Sequence, residues 1–140
     1  MSLTQQNKAV IDTNILISAL VFGGNSRNIL MLCQQKIISG FISQTTLVEL
    51  RRTIAKKFSL FLDDLTIFEQ FLGEYFIIIN DLEHSFSYPL LRDQDDMHVL
   101  ICAKISGAHW IVSGDKDLLA LRQWEICRIV SPAQFLTLIK

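Results

Sequence analysis

Five short runs rich in isoleucine and valine punctuate the chain: KAVID (8–12), GFIS (40–43), FIIIN (76–80), HWIVSG (109–114) and CRIVS (127–131). Continuous apolar runs of this length, bounded by turn residues, read as strands buried on both faces. Helical patterns fill the intervals. Ser26–Lys36 is one, and Ser43 is placed to cap a second that runs to about Phe58. Residues 62–75 are amphipathic, with Leu65, Phe68 and Leu72 at helical spacing. Asp93–Ser106 reads as a helix ended by Gly107, Lys116–Trp124 as a short one, and Pro132 opens the last. Buried strands alternating with helices predict a three-layer α/β/α fold with a central parallel sheet of about five strands.

The 140 residues suit one core. Half are apolar and mean hydropathy is +0.34, which predicts a generous core and apolar surface to be covered by a second copy or a partner. Residues 1–8 are expected to be flexible and 9–140 to form a single domain. With a net charge of −1 and a pI near 6.3, the chain lacks the bulk positive charge of many nucleic-acid binders, so any such contact must be local. Cys33, Cys102 and Cys127 are odd in number and widely spaced. That pattern argues against disulfides and thiolate zinc sites, and for core thiols in a reducing cytoplasm. No apolar run approaches the ~20 residues of a membrane helix. AVIDTNILISALVFGG is faintly similar to a signal peptide, but Asp12 and Asn14 interrupt it.

Parallel sheets take ligands beyond the carboxyl ends of their strands, so the residues just past those ends carry the functional question. Asp12 follows the first strand and Asp115 the fourth. Within RDQDD, Asp93 suits an N-cap and Asp96 the third helical position of a capping box. Asp96 shares a helical stripe with Leu100 and Ala103, which should face the sheet, whereas Asp95 aligns with His98 and Cys102. Asp96 is therefore expected to point inward, where a carboxylate is costly unless a cation meets it. In the helix after Ser43, Leu47, Leu50, Ile54 and Phe58 form the buried stripe; Glu49 lies off it, in line with Arg52 and Lys56. Alone, Glu49 reads as an exposed acid beside bases, Asp12 as a turn residue and Asp115 as a loop acid, with Asp117 capping the next helix. Together they place four acids at strand ends or helix starts on one edge. Oxygen donors of this kind suit Mg²⁺ or Mn²⁺ rather than zinc. His84, His98 and His109 lack metal-ligand spacing and read as structural. Phe58, Phe61, Phe68, Phe71, Tyr75 and Phe76 read as core or subunit contact.

VIDTNILISAL, LVELRR, RDQDDMHVLICA and IVSGDKDLL, in that order, resemble the four motifs of the PIN domain, the ribonuclease fold of VapC-type toxins in toxin–antitoxin pairs. The resemblance runs to IVSPAQFL, nearly the whole chain. It implies a PIN-like fold and metal-dependent hydrolysis of RNA. One or two Mg²⁺ or Mn²⁺ ions would be held by the catalytic acids Asp12, Glu49, Asp96 and Asp115. Asn14 and Ser113 match polar positions that steady such a site, Asp117 an auxiliary acid, and Asp95 a charged neighbour. Asp96 is aligned as the ligand by the step from Asp96 to Ala103. Arg52, Lys56, Arg92 and Lys116 are candidates for holding phosphates. A cognate antitoxin and a homo-oligomer, a dimer or higher, are the implied partners. Gln94 stands where relatives often carry proline, a departure that concerns how the helix starts.

Two other acid-bearing α/β classes fit less well. A receiver domain needs an acceptor aspartate after a central strand and a lysine after a later one, and no strand here ends that way. A haloacid dehalogenase-type phosphatase needs Asp-x-Asp after strand one, where this chain has DTN. A PIN scaffold that binds RNA or protein without cleaving it is the remaining alternative.

Overall fold

The computed structural model describes residues 7–83 and 96–139. A six-stranded sheet runs through it in the order β3-β2-β1-β4-β6-β5. β1 (Lys8–Ile11), β2 (Ser39–Ser43), β3 (Phe76–Ile79), β4 (Trp110–Val112) and β6 (Cys127–Val130) are parallel, which is the sheet the isoleucine and valine runs predict. β5 (Gln123–Trp124) adds a two-residue antiparallel edge on β6.

Alternate residues of the strands feed two cores. Ala9, Ile11, Ile42, Val112 and Val130 face α1 (Thr13–Val21), α2 (Gly24–Gln34), α3 (Gln44–Lys57), α4 (Leu62–Tyr75) and α7 (Pro132–Leu138). Val10, Phe41, Ile111 and Ile129 face α5 (Met97–Ser106) and α6 (Lys116–Leu121). Leu50 and Ile54 of α3 are fully buried; each such side chain contributes about 1.5–3 kcal/mol by leaving water. Phe76 is buried, and Phe58, Phe61, Phe68, Phe71 and Tyr75 pack half-buried on the same core. The three cysteines are buried free thiols. Burial pushes the Cys33 thiol up to about 12.

Several local signals act as expected. Ser43 Oγ accepts the Thr46 N–H at 2.9 Å and caps α3. Gly107 ends α5 at φ 68, in the left-handed region. Pro132 opens α7 as expected; the capping box of Ser131 and Gln134 around it is a further finding.

Three expectations need correction. Thr13–Val21, which carried no predicted element, is helix α1. Its apolar residues run nearly unbroken, because it packs against α2 and α3 and shows no wet face to set a period. The helix expected over 116–124 ends at Leu121, because Arg122 takes φ 60 and its carbonyl accepts the Ile129 N–H at 2.8 Å, turning the chain into β5. The second helix begins at Gly24 and ends at Gln34, two residues earlier at each end than predicted. The cap assigned to Asp93 lies outside the described residues, as do His84, Arg92, Gln94 and Asp95.

Candidate active site

Strand order changes direction at β1 and β4: β2 lies beyond one and β6 beyond the other. A crevice forms at such a switch point, past the carboxyl ends. Asp12 directly follows β1 and is 5% exposed. Its N–H continues the sheet to Val112 O at 3.0 Å. Its Oδ1 accepts the Thr13 N–H at 2.7 Å and its Oδ2 the Ser113 hydroxyl at 2.6 Å. Ser113 Oγ also accepts the Asp115 N–H at 2.9 Å. Asp115 caps α6, taking the Asp117 and Leu118 N–H groups on Oδ1 at 2.8 and 3.1 Å. Asn14 Oδ1 accepts the Gly114 N–H at 3.3 Å, tying the start of α1 to the loop after β4. Ser113 and Asn14 thus join segments about a hundred residues apart.

Asp12, Glu49, Asp96 and Asp115 line one cleft of about 280 Å³, together with Thr13, Asn14 and Arg52. Asp96 is buried, as expected, but it stands at the N-cap immediately before α5, which begins at Met97, and not at the third helical position of a capping box. Glu49 is half-buried on α3. Its Oε1 accepts the Thr13 hydroxyl at 2.6 Å and lies 3.2 Å from His98 Nε2. Among the described residues, no three histidine, cysteine or acidic side chains stand close enough to grip an ion in this arrangement. Asp115 is turned to its helix, and Glu49 to Thr13 and His98. Lys56 and Lys116 are exposed outside the cleft lining, and Asp117 sits in the first turn of α6.

Electrostatics set the acids apart. Burial raises the pKa of Asp12 and outweighs the lowering by Ser113, Thr13 and His98; the charge on Glu49 raises it further. Burial also disfavours charge on Glu49, but hydrogen bonds from His98 and Thr13 win and lower its pKa. For His98, burial works against the charged form, and Glu49, Asp12 and Asp81 overcome it to raise the pKa. Neither Asp12 nor Asp115 is paired with a lysine or arginine among the described residues.

Two residues of this site escaped the sequence reading. His98 lacks metal-ligand spacing to another histidine and so reads from the sequence as structural. Every residue from His98 to Ala103 is buried, so stripe analysis cannot tell the faces of α5 apart. Thr13 had been passed over beside Asp12. Asp81, also buried, accepts the Thr45 N–H and hydroxyl and ties the end of β3 to the start of α3.

A mostly parallel α/β sheet thus gathers four carboxylates over its carboxyl edge. The family model of the PIN domain matches residues 8–117, and the chain belongs to that family of nucleases. Among solved structures the fold is similar to VapBC2 from Rickettsia felis bound to a DNA fragment from their promoter (TM-score 0.58, 14% identity, 89% of this chain and 98% of that one). It is also similar to the PIN domain endonuclease Utp24 (0.55, 20%, 93% and 88%). FitAB bound to an IR36 DNA fragment is a third likeness (0.53, 15%, 89% and 94%). No curated protein matches.

Proposed function

We propose that the protein is a Mg²⁺- or Mn²⁺-dependent endoribonuclease, acting as the toxin of a toxin–antitoxin pair in the cytoplasm. The reading is carried by the gathering of Asp12, Glu49, Asp96 and Asp115, from four separate parts of the chain, in one cleft. The donor set fits a hard divalent ion in kind, being four carboxylates with no thiolate. These four acids would hold the ion. When bound, it would activate water and offset charge on the phosphate.

The chain's own residues prepare that chemistry. Ser113 and the Thr13 N–H fix both oxygens of Asp12, and Asn14 holds the loop that delivers Asp115. Arg52, on the cleft wall, supplies a cation for a phosphate of the substrate. Lys56 and Lys116, both exposed, extend that role, and Asp117 adds charge in the first turn of α6; Arg92, as a further phosphate contact, and Asp95, as an added charge, rest on the family resemblance alone. The resemblance to VapC-type toxins and the likeness to VapBC2 and FitAB support a cognate antitoxin. The exposure of Phe22, Leu60 and Ile67 supports a homo-oligomer or a protein partner.

The test is cleavage of end-labelled RNA by the purified chain with Mn²⁺, alongside Asp12→Asn and a single-stranded DNA control. Expected are products with 5′-phosphate and 3′-hydroxyl ends from the parent, and none from the variant. Equal cleavage by both would sink the assignment. Binding of RNA without cleavage, and without uptake of Mn²⁺, would point to the silent scaffold.

A further inference from the structure

His98 spans the two helical layers over the carboxyl end of β2. Its ring leaves α5 on one face of the sheet and ends against Glu49 of α3 on the other. Nδ1 lies 2.7 Å from Ser43 Oγ, and Nε2 lies 3.2 Å from Glu49 Oε1. Ser43 is itself held, accepting the Thr46 N–H and donating to Thr46 Oγ1, both at 2.9 Å. A carboxylate only accepts, so Nε2–H faces Glu49; with the Ser43 hydroxyl proton given to Thr46 Oγ1, Nδ1–H donates to Ser43 Oγ, and the ring in this arrangement carries both protons. Thr13 donates to the same oxygen at 2.6 Å. Both donors therefore engage Oε1, and Oε2 is the oxygen left to the cleft that Glu49 lines.

We propose that His98 is a positioning residue. Anchored on Ser43, it holds Glu49 so that Oε2 is presented to a divalent ion, and it thereby raises the cleft's affinity for that ion. The proposal rests on the metal-dependent reading above. Hydrogen-bonding partners of ligand side chains typically tighten metal binding by about 10–100-fold.

Two substitutions separate positioning from space-filling. Glutamine reaches as far as Nε2 and restores a donor to Glu49. Asparagine reaches only as far as Nδ1, so it keeps the Ser43 contact and leaves Glu49 without its donor. The measurement is calorimetric titration of Mn²⁺ alone into the chelator-stripped protein, with melting followed in parallel. His98→Asn should weaken binding about tenfold or more. His98→Gln should bind close to the parent. In a Glu49→Gln background, His98→Asn should add no further loss. If His98→Asn does not fold, His98→Met replaces it, matching glutamine in length without the donor. Equal binding by the parent and the donor-less variant overturns the positioning role alone. Equal weakening by the donor-bearing and donor-less variants, or a loss that persists without the Glu49 carboxylate, also overturns it. A parent that takes up no Mn²⁺ overturns the metal reading and this proposal with it.

Discussion

Ser113 and Asp12 stand 101 residues apart in sequence and 2.6 Å apart in space, hydroxyl to carboxylate. Ser113 is fully buried and Asp12 nearly so, and this contact clamps β1 to β4 just where the candidate site begins. A buried hydrogen bond to a charged group contributes about 1.5–3 kcal/mol. Ser113→Ala should therefore lower unfolding free energy by about that amount, read from denaturant midpoints at neutral pH. A loss below about 0.5 kcal/mol would mean the contact is not formed in solution.

Asp12→Asn should melt at a higher temperature than the parent when divalent ions are absent. Burial raises the folded-state pKa of Asp12 above its ordinary carboxylate value, so the unfolded chain releases this proton first as pH rises. Stability falls through that interval and stays reduced above it. An asparagine carries no charge, keeps an acceptor for the Thr13 N–H and offers a donor to Ser113. A gain in melting temperature together with lost RNA cleavage marks a residue kept for chemistry at the expense of stability. A lower melting temperature would show that the carboxylate is structural.

The Glu49–His98 pair should stabilise the fold most between about pH 4.5 and 6.5, bounded by the ordinary values of a glutamate and a histidine. The folded-state pKa of His98 is raised, so its contribution is full below 6.5 and is lost as pH rises through the folded value. That of Glu49 is lowered, so its contribution is full above 4.5 and is lost as pH falls through the folded value. In chelator, the deficit of Glu49→Gln against the parent should be larger at a pH near 5.5 than near 9. Equal deficits would show that the two groups are not electrostatically coupled.

Gly40→Ala should destabilise the protein by about 1–3 kcal/mol, the usual cost of forcing extra volume into a packed core. A Cβ built on Gly40 would fall 2.5 Å from the Phe76 ring and 2.8 Å from Cys33 Sγ. Both neighbours are buried and have little room to retreat. Thermal melting that matches the parent would show that β2 and β3 are more loosely packed than described.

The sheet was legible because its central strands β1 and β4 are buried on both faces and write short apolar runs; β3 carries a like run although it lies at the sheet edge with Ile77 and Ile78 exposed, so there the expectation of burial on both faces fails. Asp12 and Asp115 were legible for a related reason: Asp12 directly follows β1, and Asp115 follows β4 after Ser113 and Gly114. What escaped shares a different cause. α1 and α5 are apolar over most of their surface, so they have no strong period that marks a helix or ranks its faces. β5 is two residues long, shorter than any pattern can register. His98 takes its role from Ser43 and Glu49, more than forty residues upstream, and nothing within a turn of it signals that contact.

The strand order also dictates when the site can first exist. β1 has β2 on one side and β4 on the other, and Asp12 needs Ser113 to satisfy its second oxygen. A chain still being made has Asp12 and Glu49 early, yet the wall that completes their cleft arrives only after residue 112 is free to pair. Until then, the second oxygen of Asp12 lacks the Ser113 hydroxyl. Closing the cleft needs a contact of long sequence separation, which is among the slower events in assembling a domain. Premature termination anywhere before β4 therefore leaves a fragment with neither its central strand pair nor its complete candidate site.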